Sequence, residues 1–127
     1  GLDADSDGYV ILHALANAIS SALGHGSLGT FATKLYKKGI KDSTKYLAHI
    51  LKVMKKEGFK VKNCSISIEG SQPVIDPLSS VLKKSISSLI STDEVGITAT
   101  SGKNLTSFGK GLGIRATVVV LLEKNYE

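Results

Sequence analysis

Between Ser43 and Ile68 the hydrophobic period changes across a single glycine, and this change narrows the chain to folds that lay helices on a sheet. Tyr46, Leu47, Ile50, Leu51 and Met54 recur at helical spacing. Past Gly58 the stretch Phe59 to Ile68 alternates instead, with Cys64, Ile66 and Ile68 on one side and Ser65 and Ser67 on the other. That is the period of a strand with one buried face. Asp42 or Ser43 is placed to cap the helix, Lys55 and Lys56 suit the negative end of its dipole, and Gly58 ends it.

The flanking segments extend the same pattern. A first helix is expected from Ser6 or Asp7 to Gly24, with Ile11, Leu15, Ala18 and Ala22 as its core stripe. Beside that stripe Tyr9, His13, Asn17 and Ser21 recur every four residues as a polar ridge. Gly24 to Gly39 reads as a loop. A third helix starts with Asp76 as cap and Pro77 as first helical residue, burying Leu78, Val81, Leu82, Ile86 and Leu89. Val95, Ile97 and Ala99 mark a second strand. Ile114 to Glu123 marks a third, and its unbroken apolar run Val118 to Leu122 suggests a central strand buried on both faces. The expected order is helix, helix, strand, helix, strand, strand: an α/β (α+β two-layer) fold, a small mixed sheet with helices on one face. Three strands make a thin sheet, and the chain opens abruptly at a helix cap, so N-terminal strands are expected to be missing from a single domain spanning residues 1–127.

Length and composition agree with one domain, since 127 residues at 42% hydrophobic content fall within the usual size of about 100 to 150. No apolar run reaches the roughly 20 residues that cross a bilayer, and no leader resembling a signal peptide is present. A lone cysteine, Cys64, excludes an internal disulfide and points to a reducing compartment. The net charge of +5 raises the question of nucleic acid. Ten of the sixteen basic residues lie between Lys34 and Lys62, and all ten are lysines. With no arginine for bidentate contacts, and with Lys45, Lys52, Lys55 and Lys56 on the wet side of a helix, a solvated face is preferred over a nucleic-acid module.

Candidate chemistry concentrates in two places. The loop Gly102 to Gly113 fits neither standard glycine-rich phosphate pattern. Even so, Thr100, Ser101, Lys103 and Lys110 offer hydroxyls, amides and cations, the groups an anion needs. His13 is either a core or surface histidine or a metal ligand; its ridge adds only Tyr9 and Asn17, which are weak ligands. No triad signature surrounds Cys64, and His25 and His49 read as loop and surface residues.

Several motifs together resemble one family, the 2-C-methyl-D-erythritol 2,4-cyclodiphosphate synthases. They are Ser6-Asp7-Gly8-Tyr9 with His13-Ala14, matching an SDGDxxxHA pattern; Asp42-Ser43; GSQPVIDP from Gly70 to Pro77; Ala99-Thr100-Ser101; and GKGLGI from Gly109 to Ile114. The resemblance spans essentially the whole chain. It implies a homotrimer with sites between subunits, and a metal-dependent lyase that cyclises 4-diphosphocytidyl-2-C-methyl-D-erythritol 2-phosphate with release of CMP. By resemblance His13 is a zinc ligand, with magnesium or manganese as a second metal. Ser6, Thr100, Ser101, Lys103 and Lys110 meet phosphate, and Thr30, Gly70, Pro73, Val74 and Ile75 meet the nucleotide. A cytoplasmic or plastid-type location follows from the same likeness, with no membrane partner. The chain also departs from the pattern. Tyr9 replaces the aspartate of SDGD, Asp5 stands where most members have histidine, Lys103 stands where a metal-binding glutamate belongs, and Leu28-Gly29-Thr30 replaces an aspartate-bearing loop. The other two zinc ligands of the family lie on an N-terminal strand that would precede Gly1. The departures motivate an alternative: a catalytically degenerate homologue that binds a cytidine nucleotide or a prenyl phosphate.

Overall fold

A computed structural model of the chain describes residues 4–26, 43–70, 75–100 and 115–126. In chain order these form α1 (Ala4–Ala22), α2 (Ser43–Lys56), β1 (Phe59–Glu69), α3 (Ile75–Ile90), β2 (Val95–Thr100) and β3 (Arg115–Lys124). This is the order that the change of period predicts. The sheet runs β2-β1-β3. β1 pairs parallel with β2, from Cys64↔Val95 to Glu69↔Thr100, and antiparallel with β3, from Phe59↔Lys124 to Glu69↔Arg115. A bulge between Val61 and Asn63 slips the register once. It moves Lys62 and Asn63 together to the exposed side, so Val61 and Cys64 both stay buried although three residues apart.

One face of this sheet carries the core. Val61, Cys64, Ile66 and Ile68 of β1 join Val95 of β2 against Ile11, Leu15, Ala16 and Ile19 of α1, Tyr46, Leu47, Ile50 and Met54 of α2, and Ile86 and Ile90 of α3. The opposite face is open: Ser65 and Ser67 of β1, Thr98 of β2, and Thr117, Val119 and Leu121 of β3 are exposed. The helices thus lie on one side of a mixed sheet, as expected.

Three expectations need correction. Within the described sheet β3 is not the central strand. It lies at the margin of the described sheet and alternates along its length, with Val119 65% and Leu121 55% exposed. The described helices cover only one face of the sheet, so alternate residues of this apolar strand stay exposed. In α1 the buried stripe is Ile11, Leu15, Ala16 and Ile19, while Ala22 is exposed. Alanine tolerates either environment and marks a stripe poorly. In α3, Val81 and Leu89 are exposed and Ile90 is buried instead, because only the Ile86–Ile90 line of that helix faces the sheet.

Candidate functional site

The site is approached through the ends of the strands. Glu69 pairs with Thr100 on one side and Arg115 on the other, so the C-terminal ends of β1 and β2 and the start of β3 meet at one edge of the sheet. In open α/β sheets the carboxyl ends of parallel strands are where connecting loops leave room for ligands. Gly70, buried, follows β1 directly, Ile75 opens α3, and Thr100 closes β2. Two connections that carry expected phosphate and nucleotide contacts, 70–75 and 100–115, therefore leave from the same edge. Thr30, Pro73, Val74, Ser101, Lys103 and Lys110 lie outside the described residues, as do the side chains of Ser6, Ile75 and Thr100.

A cavity of about 460 Å³ opens at that same end, lined by Val10, His13, Ala14, Asn17, Ser43 and Ala116. Ala116 pairs with Ile68, one step in from the strand ends. The helical period brings Val10, His13, Ala14 and Asn17 to one face of α1, because residues three and four apart stack. Ser43 enters as the first residue of α2. The His13 ring reaches solvent on the side away from the α1 core stripe. Partial desolvation lowers its pKa below the ordinary histidine value. The ring is therefore neutral near pH 7, the form that donates to a metal.

One imidazole does not make a zinc site, which takes about four ligands. Among the described residues no three of histidine, cysteine, aspartate and glutamate come together. The described part of the chain thus fits a single metal ligand at His13 and does not complete a metal centre.

A second depression, about 580 Å³, lies along α3 between Ser80, Lys83, Lys84, Ser87, Ser88 and Asp93 and gathers none of the expected site residues. Cys64 is buried and desolvation pushes its thiol up to about 11, which removes it from nucleophilic chemistry. Of the two histidines read as loop and surface residues, both are exposed. His25, however, pairs with Glu57 at 2.8 Å. Nothing in the local pattern signals a contact between residues 32 apart. No described helix is long and apolar enough to cross a membrane.

Comparison with known proteins bears on this arrangement. Residues 1–123 match the YgbB family. The chain is similar to the 2-C-methyl-D-erythritol 2,4-cyclodiphosphate synthase of Chlamydia muridarum, with 42% identity over 123 residues, 94% of this chain and 68% of that one. It is similar in fold to the bifunctional IspDF of Campylobacter jejuni, with a TM-score of 0.83 at 25% identity over 98% of this chain and 34% of that one. A 2C-methyl-D-erythritol-2,4-cyclodiphosphate synthase solved in its CDP-bound form superposes with a TM-score of 0.73 at 25% identity, covering 88% of this chain and 74% of that one.

Proposed function

The chain belongs to the YgbB family, and from that premise we propose that it cyclises 4-diphosphocytidyl-2-C-methyl-D-erythritol 2-phosphate to 2-C-methyl-D-erythritol 2,4-cyclodiphosphate and CMP. The observation that carries the reading is the convergence at one end of the sheet. The cavity holding His13 and Ser43 opens beside the strand ends from which the Gly70, Thr100 and Arg115 segments depart.

The chemistry matches what this chain offers. An oxygen of the substrate's own 2-phosphate attacks the phosphorus of the diphosphate nearer the erythritol. A new P–O bond forms, the bond to the CMP phosphate breaks, and CMP leaves with the electron pair. Both reacting groups are in one molecule, so the protein supplies positioning and charge neutralisation and needs no side-chain nucleophile. Under this reading Gly70, Pro73, Val74 and Ile75 hold the cytosine, Thr30 stands at the ribose, and Ser6, Thr100, Ser101, Lys103 and Lys110 hold the phosphates. His13 would offer one imidazole to a zinc ion. A metal held there would add charge neutralisation at the diphosphate; Lys103, as a fixed cation, contributes in the same sense.

The reading extends to assembly. Val119 and Leu121 on the open sheet face are the surface that a homotrimer with inward-facing sheets would cover. Residues 1–127 act as one domain, supported by a single core to which all three described helices contribute. The location is cytoplasmic or plastid-type. The test is mass spectrometry on the authentic substrate with zinc and magnesium. Cyclic diphosphate and CMP should appear together and fall in a His13→Ala variant; a protein that is folded, metal-loaded and silent rejects the activity.

Tyr9, where the family pattern has aspartate, favours a second reading: a homologue that binds a cytidine nucleotide without turning it over. Calorimetry separates the two. CDP binding with no product supports the second reading, and no heat with CDP or CMP ends it.

A further inference from the structure

The depression along α3 is built from one stripe of that helix and one residue beyond it. Ser80, Lys83, Lys84, Ser87 and Ser88 recur at spacings of three and four, so they share a face. Ile86 and Ile90, by which α3 meets the core, lie on the neighbouring face. Asp93 joins the depression from the connection to β2. Its volume of about 580 Å³ is in the range of small-ligand sites. None of its lining residues belongs to the His13 cavity.

The end of α3 sets how Asp93 comes to share that space. Ser91 takes φ 58°, in the left-handed region, and the Thr92 N–H bonds the Ser87 carbonyl at 3.2 Å. This reversal ends many helices. Thr92 then ties the turn to the sheet: its hydroxyl donates to the Lys62 carbonyl of β1 (3.3 Å) and accepts from the Glu94 N–H (3.2 Å). The Val95 N–H bonds the Asp93 carbonyl at 2.9 Å. The carboxylate is therefore carried on backbone that is bonded on both sides.

The charges in this depression do not satisfy one another. Among the described residues Lys83, Lys84 and Asp93 form no ion pair, and the Ser87 and Ser88 hydroxyls have no hydrogen-bond partner. From Lys84 to the turn at Ser91 the helix rises about 10 Å, at roughly 1.5 Å per residue. Opposite charges that line one space without meeting complement a ligand that carries both signs. A phosphate monoester bears nearly two negative charges above about pH 7 and has several acceptor oxygens, which matches two ammonium groups and the hydroxyls between them. A phosphate alone would meet the Asp93 carboxylate as a like charge; an ammonium group on a short spacer would meet it as an opposite one. We infer that this depression is a second ligand site, for a small phosphate monoester with a terminal ammonium group, in which Lys83 and Lys84 hold the phosphate and Asp93 the ammonium. The site goes beyond the cyclisation reading and does not depend on it.

The test is a titration of the intact protein with O-phosphoethanolamine near neutral pH and at constant ionic strength, followed in amide NMR spectra. Inorganic phosphate, ethanolamine and glycerophosphoethanolamine are the comparison ligands. Amides of residues 80–93 should shift saturably with O-phosphoethanolamine, which should bind more tightly than phosphate or the diester, and ethanolamine should not bind. Lys83→Gln and Lys84→Gln should each weaken binding about two- to five-fold, the range for exposed charge pairs. Asp93→Asn should bring O-phosphoethanolamine and phosphate to near-equal affinity. All three side chains are exposed, so circular dichroism of the variants should match the parent. No saturable shift in residues 80–93 overturns the proposal and leaves a solvated helix face. Equal parent affinity for O-phosphoethanolamine and phosphate, binding indifferent to the lysine variants, or shifts that gather around His13 and Ser43 overturn it as well. A diester bound as tightly as the monoester overturns the ligand assignment, because it points to a lipid headgroup instead.

Discussion

Ile66 is the residue whose truncation most directly tests how the sheet holds the site together. It lies in the middle strand, pairs with Ile97 on one side and Val118 on the other, and is fully buried. Ile66→Ala removes three carbon groups, worth about 2.4 kcal/mol of transfer at roughly 0.8 each. It also leaves a cavity that flanking strands cannot close without moving, which brings the cost to about 3–4 kcal/mol. Ile66→Val removes one methyl group and should cost about 1 kcal/mol. Urea unfolding followed by circular dichroism reads both. With a slope on the order of 1.5 kcal/mol/M, the alanine midpoint falls by roughly 2 M, and the slope itself should not change. Val119→Ala supplies the contrast, since Val119 is 65% exposed on the other face. In dilute protein it should cost under about 0.5 kcal/mol. A loss below about 1 kcal/mol for Ile66→Ala, or equal losses for Ile66→Ala and Val119→Ala at a dilution where only monomer is present, would refute the one-sided core.

Three further outcomes follow from the same structure. The Val119→Ser/Leu121→Ser pair should shift sedimentation toward monomer while leaving circular dichroism unchanged, and a wild-type assembly that survives both substitutions removes the open sheet face from the interface. Cys64 titrates near 11 when folded and at 9.0 when free, so at pH 8 its thiolate, and its rate with a disulfide reagent, should be about 100-fold lower in native than in urea-unfolded protein. Because that pKa is raised by folding, the stability it contributes is complete below pH 9 and is lost as pH climbs toward 11; a denaturation midpoint that rises across that window contradicts the assignment. Gly58→Ala should destabilise by about 1–2 kcal/mol from its φ of 85° alone, since a Cβ there meets nothing within 4 Å, and a neutral result would deny the left-handed turn.

The fold was legible where the period is local. The switch at Gly58 separates α2 from β1 because a helix and a half-buried strand repeat at 3.6 and 2 residues, and both stretches are long enough to show it. Legibility failed where burial depends on what lies across the gap. Val118 to Leu122 is apolar at every position, so the sequence cannot say which of its two faces the helices take. Val81 and Leu89 are apolar on a helix of which one line reaches the sheet. In both cases side-chain type alone does not say which apolar residues the described helices and sheet cover.

The candidate site was legible in a different way. No periodicity points to His13, which sits on a ridge with Tyr9, Asn17 and Ser21; the likeness of neighbouring motifs does. The geometry adds what motifs cannot, that Ser43 and Ala116, from α2 and β3, share the His13 cavity. It also separates two roles that composition treats alike. His13 is neutral against a partly apolar wall at the strand-end side of the molecule, where a ligand can be grasped. His25 faces the Glu57 carboxylate beyond the opposite end of the helix. Tyr9 falls four residues before His13, one turn away on the same helix face. A phenol at that position lacks the carboxylate with which the family's aspartate would hold a cation. Under the proposed reading, neutralising a diphosphate then falls to Lys103 and Lys110 more than to His13.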